Sequence, residues 1–317
     1  MSQPTIILHT EGTRVTALPQ STDADQVLRS SRARHEDDGI YALDDGTPSL
    51  DQLADLARLR SVHLVRSDRP FIGSTARSLA DALPGTWLTE SYNLNRSDWV
   101  LAEVWDRGPL VAALADSLVT SVAVIHNPAS EMEFMVAEHP ATHDLLVGPK
   151  TPVLDFPSTT FIATHVPTPN GIRASSVADA TQQLIPLIPA LDRALCEGRI
   201  QRIAADLAET PTGSTATDET LGNLYLDQGP RLARRALDAG TLLTEPEEDD
   251  LLDRLRRERC PIDRDETQAW RVDAHRIIGL ARAAGLGLPQ PPEPAPRIRS
   301  LPPAPPTATN RTTGRQR

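Results

Sequence analysis

The rhythm of apolar and polar positions along this chain changes once, near residue 209. Before that point, short β-prone runs alternate with helical stretches. Thr5–Leu8 and Arg14–Leu18 flank Glu11-Gly12 and predict an opening hairpin. Residues 20–38 are polar and charged and predict a loop or a short exposed helix, followed by a strand over Ile40–Leu43. Ser49 stands as an N-cap with Gln52 as its capping-box partner, and Leu50, Leu53, Ala54 and Ala57 follow at helical spacing. Ser61–Arg66 predicts a strand, Ser74–Leu83 a helix stopped by Pro84-Gly85, and Trp87–Tyr92 another strand. Trp99–Asp106 has strand composition although Ser97-Asp98 can cap a short helix; strand is preferred. Gly108-Pro109 opens a helix through Leu118, with Pro109 at the favourable first position. Strands follow at Ser121–His126, Glu133–Ala137 and Thr160–His165, and a helical region over Ser176–Leu207 is expected to kink or break early at Pro186 and Pro189. Alternating strands and helices, then strands in succession, predict an α/β domain with a layered mixed sheet over residues 1–208.

After this, Glu209–Thr217 reads as a linker and residues 218–287 as a small helical module. Its three helices fall at about 218–239, 247–259 and 264–284. The second runs from Glu247, Glu248, Asp249 and Asp250 to Arg254, Arg256, Arg257 and Arg259, an order that complements the helix dipole and allows Asp250–Arg254 and Asp253–Arg257 pairs. In the third, Asp263 is a cap with Glu266 as its box partner, and Trp270, Ala274, Ile277, Ile278, Ala281 and Ala284 form one stripe. Each apolar face must pack on a neighbouring helix, on the first domain or on a partner. Residues 288–317, rich in proline, threonine and arginine, hold no material for a core and are expected to be a disordered tail.

Composition changes this picture in two places. Aromatic residues are 3% of the 317-residue chain, so the core must rest on Leu, Val, Ile and Ala. Of the 32 basic side chains only Lys150 is a lysine, a skew that weakens any arginine cluster as evidence for phosphate binding. The net charge of −11 argues against broad non-specific nucleic-acid binding. Residues 218–287 carry 11 basic and 15 acidic side chains, net −4, and only the tail is basic, at net +4. Cys196 and Cys260 have neither metal spacing nor a disulfide framework. Met1–Thr10 lacks the features of a secretory signal, and no apolar run approaches the roughly 18–20 residues of a membrane span. The expectation is a cytoplasmic protein with no membrane partner.

Candidate chemistry lies in four places. The loop after the Ser61–Arg66 strand leads into a helix N-terminus, where open α/β sheets commonly hold ligands. There, backbone N–H groups at Gly73, Ser74 and Thr75 can hold an anion that Arg66, Arg69 or Arg77 neutralises. Against it, a capped helix beside solvated arginines explains the same residues, and no Walker or dinucleotide glycine pattern is present. His126, Glu131, Glu133, His139 and His143 are residue types that can build a zinc or manganese site, but Pro140 interrupts the helical spacing of the last pair, and no metal site is assigned. Glu103 shares a strand face with Trp99, Leu101 and Trp105, where a carboxyl can have a raised pKa. Finally, Arg231, Arg234, Arg235 and the arginines of 254–259 can touch phosphates, but interleaved acids favour a salt-bridged face.

No cofactor follows from these residues. They point to a cytoplasmic, non-catalytic binding or assembly protein whose partner is a protein, itself or another, contacted through helices 218–287. The alternatives are an enzyme acting on a phosphorylated or anionic substrate at the Arg66–Arg77 loop, and a DNA-associated accessory factor using the C-terminal helices and the basic tail.

Overall fold

The computed structural model describes residues 3–36, 39–43, 50–95, 104, 108–115, 119–150, 170–240, 245–255 and 264–287. The strands expected at 99–106 and 160–165, the Ser49 and Asp263 caps, Glu103, Cys260 and the 288–317 tail lie outside the described residues, except that Val104 forms a single antiparallel bridge with Lys150.

Strands β1 (Thr5–Glu11) and β2 (Arg14–Pro19) form the expected hairpin, turning at Gly12 with φ +61. The polar stretch after it folds into α1 (Thr22–Ser30), where the Ser21 hydroxyl accepts from Ala24 N at 3.2 Å. This helix is not an exposed one, because Ala24, Val27 and Leu28 are buried and Asp25 accepts the Tyr41 hydroxyl at 2.7 Å. Strands β3 (Arg34–His35) and β4 (Tyr41–Leu43), helix α2 (Leu50–Leu59) and strand β5 (His63–Ser67) complete a first sheet, ordered β3-β4-β2-β1-β5. Within it only β1 and β5 are parallel.

Helix α3 (Ile72–Ala82) leads to a second, wholly antiparallel sheet. Its strands β6 (Leu88–Asn93), β7 (Ser121–Asn127), β8 (Met132–Glu138), β9 (Leu145–Lys150) and β10 (Ile172–Ala174) lie in the order β10-β9-β8-β7-β6, with α4 (Pro109–Ala115) between β6 and β7 in sequence. Sequence pattern alone did not predict β9, since LLVGPK holds Gly148 and Pro149 and is buried at every position. The α/β expectation holds, with the strands divided between one mixed and one antiparallel sheet. Strand-helix alternation fits a β-α-β crossover and an antiparallel return equally well, and only the β1–β5 pair uses the crossover.

The second sheet is covered on both faces. Ala123, Ile125, Phe134, Val136 and Val147 face Leu79 of α3, Leu184 of α5 (Val177–Leu184) and Leu191 and Leu195 of α6 (Ile188–Glu209). Val122, Val124, Met135, Ala137 and Leu146 face Leu110 and Ala113 of α4. The break between α5 and α6 falls at Pro186, with Pro189 seated in the first turn of α6. The first sheet packs Ile6, Leu8, Val15 and Ala17 on Leu28, Leu53 and Ala57 of its own helices, while Leu18 and Ile40 join the central core. The buried side chain of Asn93, on the β6 edge, ties the sheets together by donating to Pro19 O at 2.8 Å and Gly39 O at 3.2 Å.

The remaining helices are α7 (Asp218–Gly222), a π turn (Asn223–Asp227), α8 (Gln228–Asp238), α9 (Glu245–Leu255) and α10 (Arg264–Ala283). Their apolar faces pack on one another and on the second half of α6. Leu221, Leu232, Leu251, Leu255, Trp270, Ala274, Ile277 and Ala281 cluster with Cys196, Ile200, Ile203 and Leu207. Among the described residues no helix is long and apolar enough to cross a membrane. The π turn has a local cause. Pro230 offers no N–H to the preceding turn and its ring crowds that turn's carbonyls, so the helix widens just before it. Gly229 is needed there, because a Cβ would lie 1.9 Å from Leu224 O.

A buried polar network joins this helical layer to the sheets. Glu131, at φ +58 in the β7–β8 turn, accepts Arg199 Nη2 of α6 at 2.6 Å and also pairs with Arg231 of α8. Arg231 Nε in turn donates to Asp227 at 2.8 Å, and Gln228 Nε2 to the same carboxylate at 2.7 Å. Arg199 is 1% exposed and Asp227 is fully enclosed; burial pulls the guanidinium pKa down and pushes the Asp227 carboxyl up. Further along α6, Asp206 meets Arg202 at 2.9 Å and Asn223 of the π turn at 3.1 Å. Burial outweighs both partners and pushes its carboxyl up to about 6.

Two outcomes follow. Glu131→Ala leaves the Arg199 charge buried without its carboxylate and should destabilise by about 3 kcal/mol, whereas Arg199→Met should cost less, because Glu131 keeps Arg231; urea unfolding of both variants measures this. Asp206, whose folded pKa is raised, binds its proton more tightly in the native state. Its cost is absent below the ordinary carboxylate pKa, grows as pH rises through about 4 to 6, and is complete above that. Asp206→Asn should therefore gain stability relative to the parent across that window, by no more than about 3 kcal/mol, in paired denaturation curves from pH 4 to 7. Parallel pH profiles would remove Asp206 from the account.

Candidate functional site

The parallel pair β1–β5 ends beside the loop that begins α3, and a cleft of about 330 Å³ opens there. Ile7, Ile72 and Val119 give it apolar walls, and His9, Arg69 and Glu138 give it a polar side. Its position follows from the strand period. Ile7, His9 and Glu11 share one face of β1, while Ile6 and Leu8 point into the first sheet's own core.

Its polar groups are bound to one another. Arg69 Nε donates to Glu138 Oε1 at 3.1 Å, and His143 Nδ1 lies 2.8 Å from the same oxygen. His9 Nδ1 lies 3.0 Å from Arg69 O, and its ring stands 5.8 Å from that of Phe71. Arg69 N donates to Ser67 Oγ at 3.1 Å, closing the turn out of β5. Beside the cleft, Glu11 reaches from the hairpin to the start of α3. It accepts Phe71 N at 2.8 Å and the Ser74 hydroxyl at 2.5 Å, so a carboxylate of the chain itself caps this helix N-terminus.

The proposed anion-binding residues are thus placed as follows. Ser74 N and Thr75 N both donate to Phe71 O, at 3.0 and 3.1 Å. Gly73 is a packing position, where a Cβ would lie 2.4 Å from Ser91 Oγ of β6 and 2.5 Å from the Phe71 ring. Arg69 faces the cleft, whereas Arg66 and Arg77 are exposed, on β5 and α3, with no ion pair among the described residues. The partners that complete this region, His9, Glu11 and Glu138, were not singled out from the sequence. For His9 and Glu11 the signal was faint, two polar side chains at alternate positions near the end of β1; Glu138, at the end of β8, gave none.

Of the histidine and glutamate candidates, His126 and Glu133 meet, while Glu131, His139 and His143 are engaged elsewhere. Glu131 serves Arg199 and Arg231. Glu133 holds the buried Lys150 at 2.6 Å, with His126 Nδ1 at 3.2 Å, in a row set by the β7–β8–β9 register. His139 and His143 close a tight turn, with His143 N donating to His139 O at 2.8 Å and His143 at φ +62. Among the described residues no three His, Cys, Asp or Glu side chains are grouped to hold a metal. Of the C-terminal arginines, Arg231 pairs with Asp227 and Glu131, Arg235 with Asp192, and Arg254 with Asp250 and Asp273. Arg234 is exposed, and residues 256–259 lie outside the described residues. Cys196 is buried in the helical layer, and burial pushes its thiol pKa up.

No protein-family model, curated protein or solved structure matches this chain.

The capping role of Glu11 is open to test. Glu11→Ala leaves Phe71 N and the Ser74 hydroxyl without their acceptor and should cost about 1–2 kcal/mol in urea unfolding. Arg77→Ala, on the exposed face of the same helix, should stay within about 0.5 kcal/mol.

Proposed function

We propose that this chain is a non-catalytic binding protein whose ligand occupies the cleft at the ends of β1 and β5. The observation that carries this proposal is the commitment of the cleft's polar groups to one another. Glu138 holds Arg69 and His143, and Glu11 takes the α3 N-terminus. Apolar walls at Ile7, Ile72 and Val119 then offer the surface for binding, and the ion-paired side orients the ligand. Preformed, mutually satisfied polar groups suit recognition of a fixed shape better than proton transfer, which needs a group free to change its charge.

For the enzyme alternative, an anionic substrate that uses Phe71 N, the Ser74 hydroxyl or Arg69 has to displace Glu11 or Glu138, which leaves it exposed Arg66 and Arg77. For the DNA-associated alternative, Arg231, Arg235 and Arg254 already hold carboxylates, which leaves exposed Arg234 and basic residues outside the described ones. Use of the paired groups in either case carries a cost that cleft binding avoids. A role in assembly belongs to the same proposal: the helical layer spends its main apolar faces on itself and on α6, and so supports the sheets from one side while leaving its polar surface for a protein partner. The cytoplasm is the proposed location.

Native mass spectrometry of the protein purified from its own host tests the proposal. A bound small molecule or peptide should accompany the parent chain. Val119→Trp, which fills the cleft, should weaken retention of that species at least about tenfold without changing the fold. Co-purified nucleic acid, or a ligand indifferent to Val119→Trp, contradicts it.

A further inference from the structure

Strand β5 ends the first sheet and pairs only with β1, so one of its edges is open among the described residues. His63 N donates to Pro4 O at 2.8 Å, and the alternation of a parallel ladder then directs Val65 and Ser67 toward β1. The backbone N–H and C=O groups of Leu64 and Arg66 face the open side. Open edges of this kind are templates for a further strand unless charge or proline blunts them.

The side chains along this edge have a definite chemistry. Val65 is 47% exposed and lies in register with Ile7 of the cleft wall, and Leu59 just before the strand is 81% exposed. Arg60 and Arg66 are exposed and have no ion pair among the described residues. Arg58 and Arg69 nearby carry Asp55 and Glu138 as counterions, at 2.9 and 3.1 Å. Among the described residues, Arg66 on the strand and Arg60 in the turn before it thus leave an excess of positive charge over exposed Asp68, beside exposed apolar side chains, in a chain of net charge −11.

We propose that the β5 edge takes an extended acidic peptide as an added parallel or antiparallel strand, with an apolar side chain beside Val65 and a carboxylate beside Arg66. The inference deepens the binding role proposed above and rests on it: the peptide's apolar side chain on the Val65 face lies against the same cleft. Charge complementarity selects this occupant. A second copy of the chain pairing edge to edge would bring two sets of Arg60 and Arg66 together, and like charges facing each other across strands oppose pairing. An acidic strand neutralises them, with main-chain hydrogen bonds giving affinity and the alternating side chains giving selectivity.

The probe is a fluorescein-labelled peptide of alternating glutamate and valine, compared by anisotropy with its lysine-valine counterpart and with a version N-methylated at alternate backbone nitrogens. The full chain should bind the acidic peptide at least about tenfold more tightly than the basic one. Arg60→Glu/Arg66→Glu should reverse that preference, and N-methylation should cost at least about tenfold by blocking the ladder. Both arginines are exposed, so the variant should keep its thermal midpoint; Arg66→Gln, a milder change, should give an intermediate loss if the double variant unfolds. Equal binding of the acidic and basic peptides, or indifference to Arg66→Gln or to N-methylation, overturns the inference. An aggregating Arg66→Val variant that still ignores the acidic peptide would make the arginines guards against self-pairing and would overturn it as well. Val119→Trp changes the cleft and leaves the β5 backbone edge intact, whereas N-methylation of the peptide tests the edge alone, so failure at the edge and failure at the cleft are distinguishable.

Discussion

The carboxylate of Glu131 stands between the guanidinium groups of Arg199 and Arg231, and the relation between the two layers of this protein depends on it. Arg199 is enclosed in the middle of α6, and a charge so placed is tolerated only with a partner in reach. That partner comes from the β7–β8 turn, held in shape by Asn127, whose Oδ1 accepts Ala129 N and Ser130 N at 3.0 Å each. The turn must therefore sit against α6, and α8 must bring Arg231 to the same carboxylate. Helix α6 adds the apolar half of the constraint, since Leu191 and Leu195 belong to the core under the second sheet while Ile200 and Ile203 belong to the helical layer.

Much of the element order was legible because it is local. The helical region begins at Ser176, whose side-chain oxygen caps α5, Pro186 and Pro189 separate α5 from α6, and the apolar stripe of α10 buries Trp270, Ala274, Ile277 and Ala281. Pairing between distant segments was not legible. Nothing near Glu131 announces Arg199 or Arg231, which lie 68 and 100 residues away, so the half-buried counterion of a buried arginine stood among the metal-ligand candidates. The same holds at the candidate site. The loop 66–77 stood out through its glycine and arginines, but Glu11, which accepts Phe71 N, and Glu138, which holds Arg69, come from strands 60 and 69 residues away. Gly73 was noticed for an anion and is needed for packing against Ser91.

These long-range pairings also decide how the cleft and the β5 edge can be used. A helix N-terminus and three arginines describe an anion site only while their charges are free. With Glu11 on the helix and Glu138 on Arg69, the arginines without an ion pair among the described residues are the exposed Arg60, Arg66 and Arg77, of which Arg60 and Arg66 neighbour exposed Leu59 and Val65 in sequence. The surface so formed is an apolar cleft with a charged strand edge, open among the described residues, at its margin, and these are the features from which peptide binding is proposed.

If Glu131 and α6 join the layers as argued, the second sheet and the helical layer cannot open separately. Native-state hydrogen exchange, followed by mass spectrometry in increasing low concentrations of denaturant, tests this most directly. The account predicts that the slowest amides of β7, β8, α6 and α10 merge into one opening reaction with a single free energy and a single denaturant dependence. An α10 that opens at lower denaturant while β7 and β8 remain protected would contradict it.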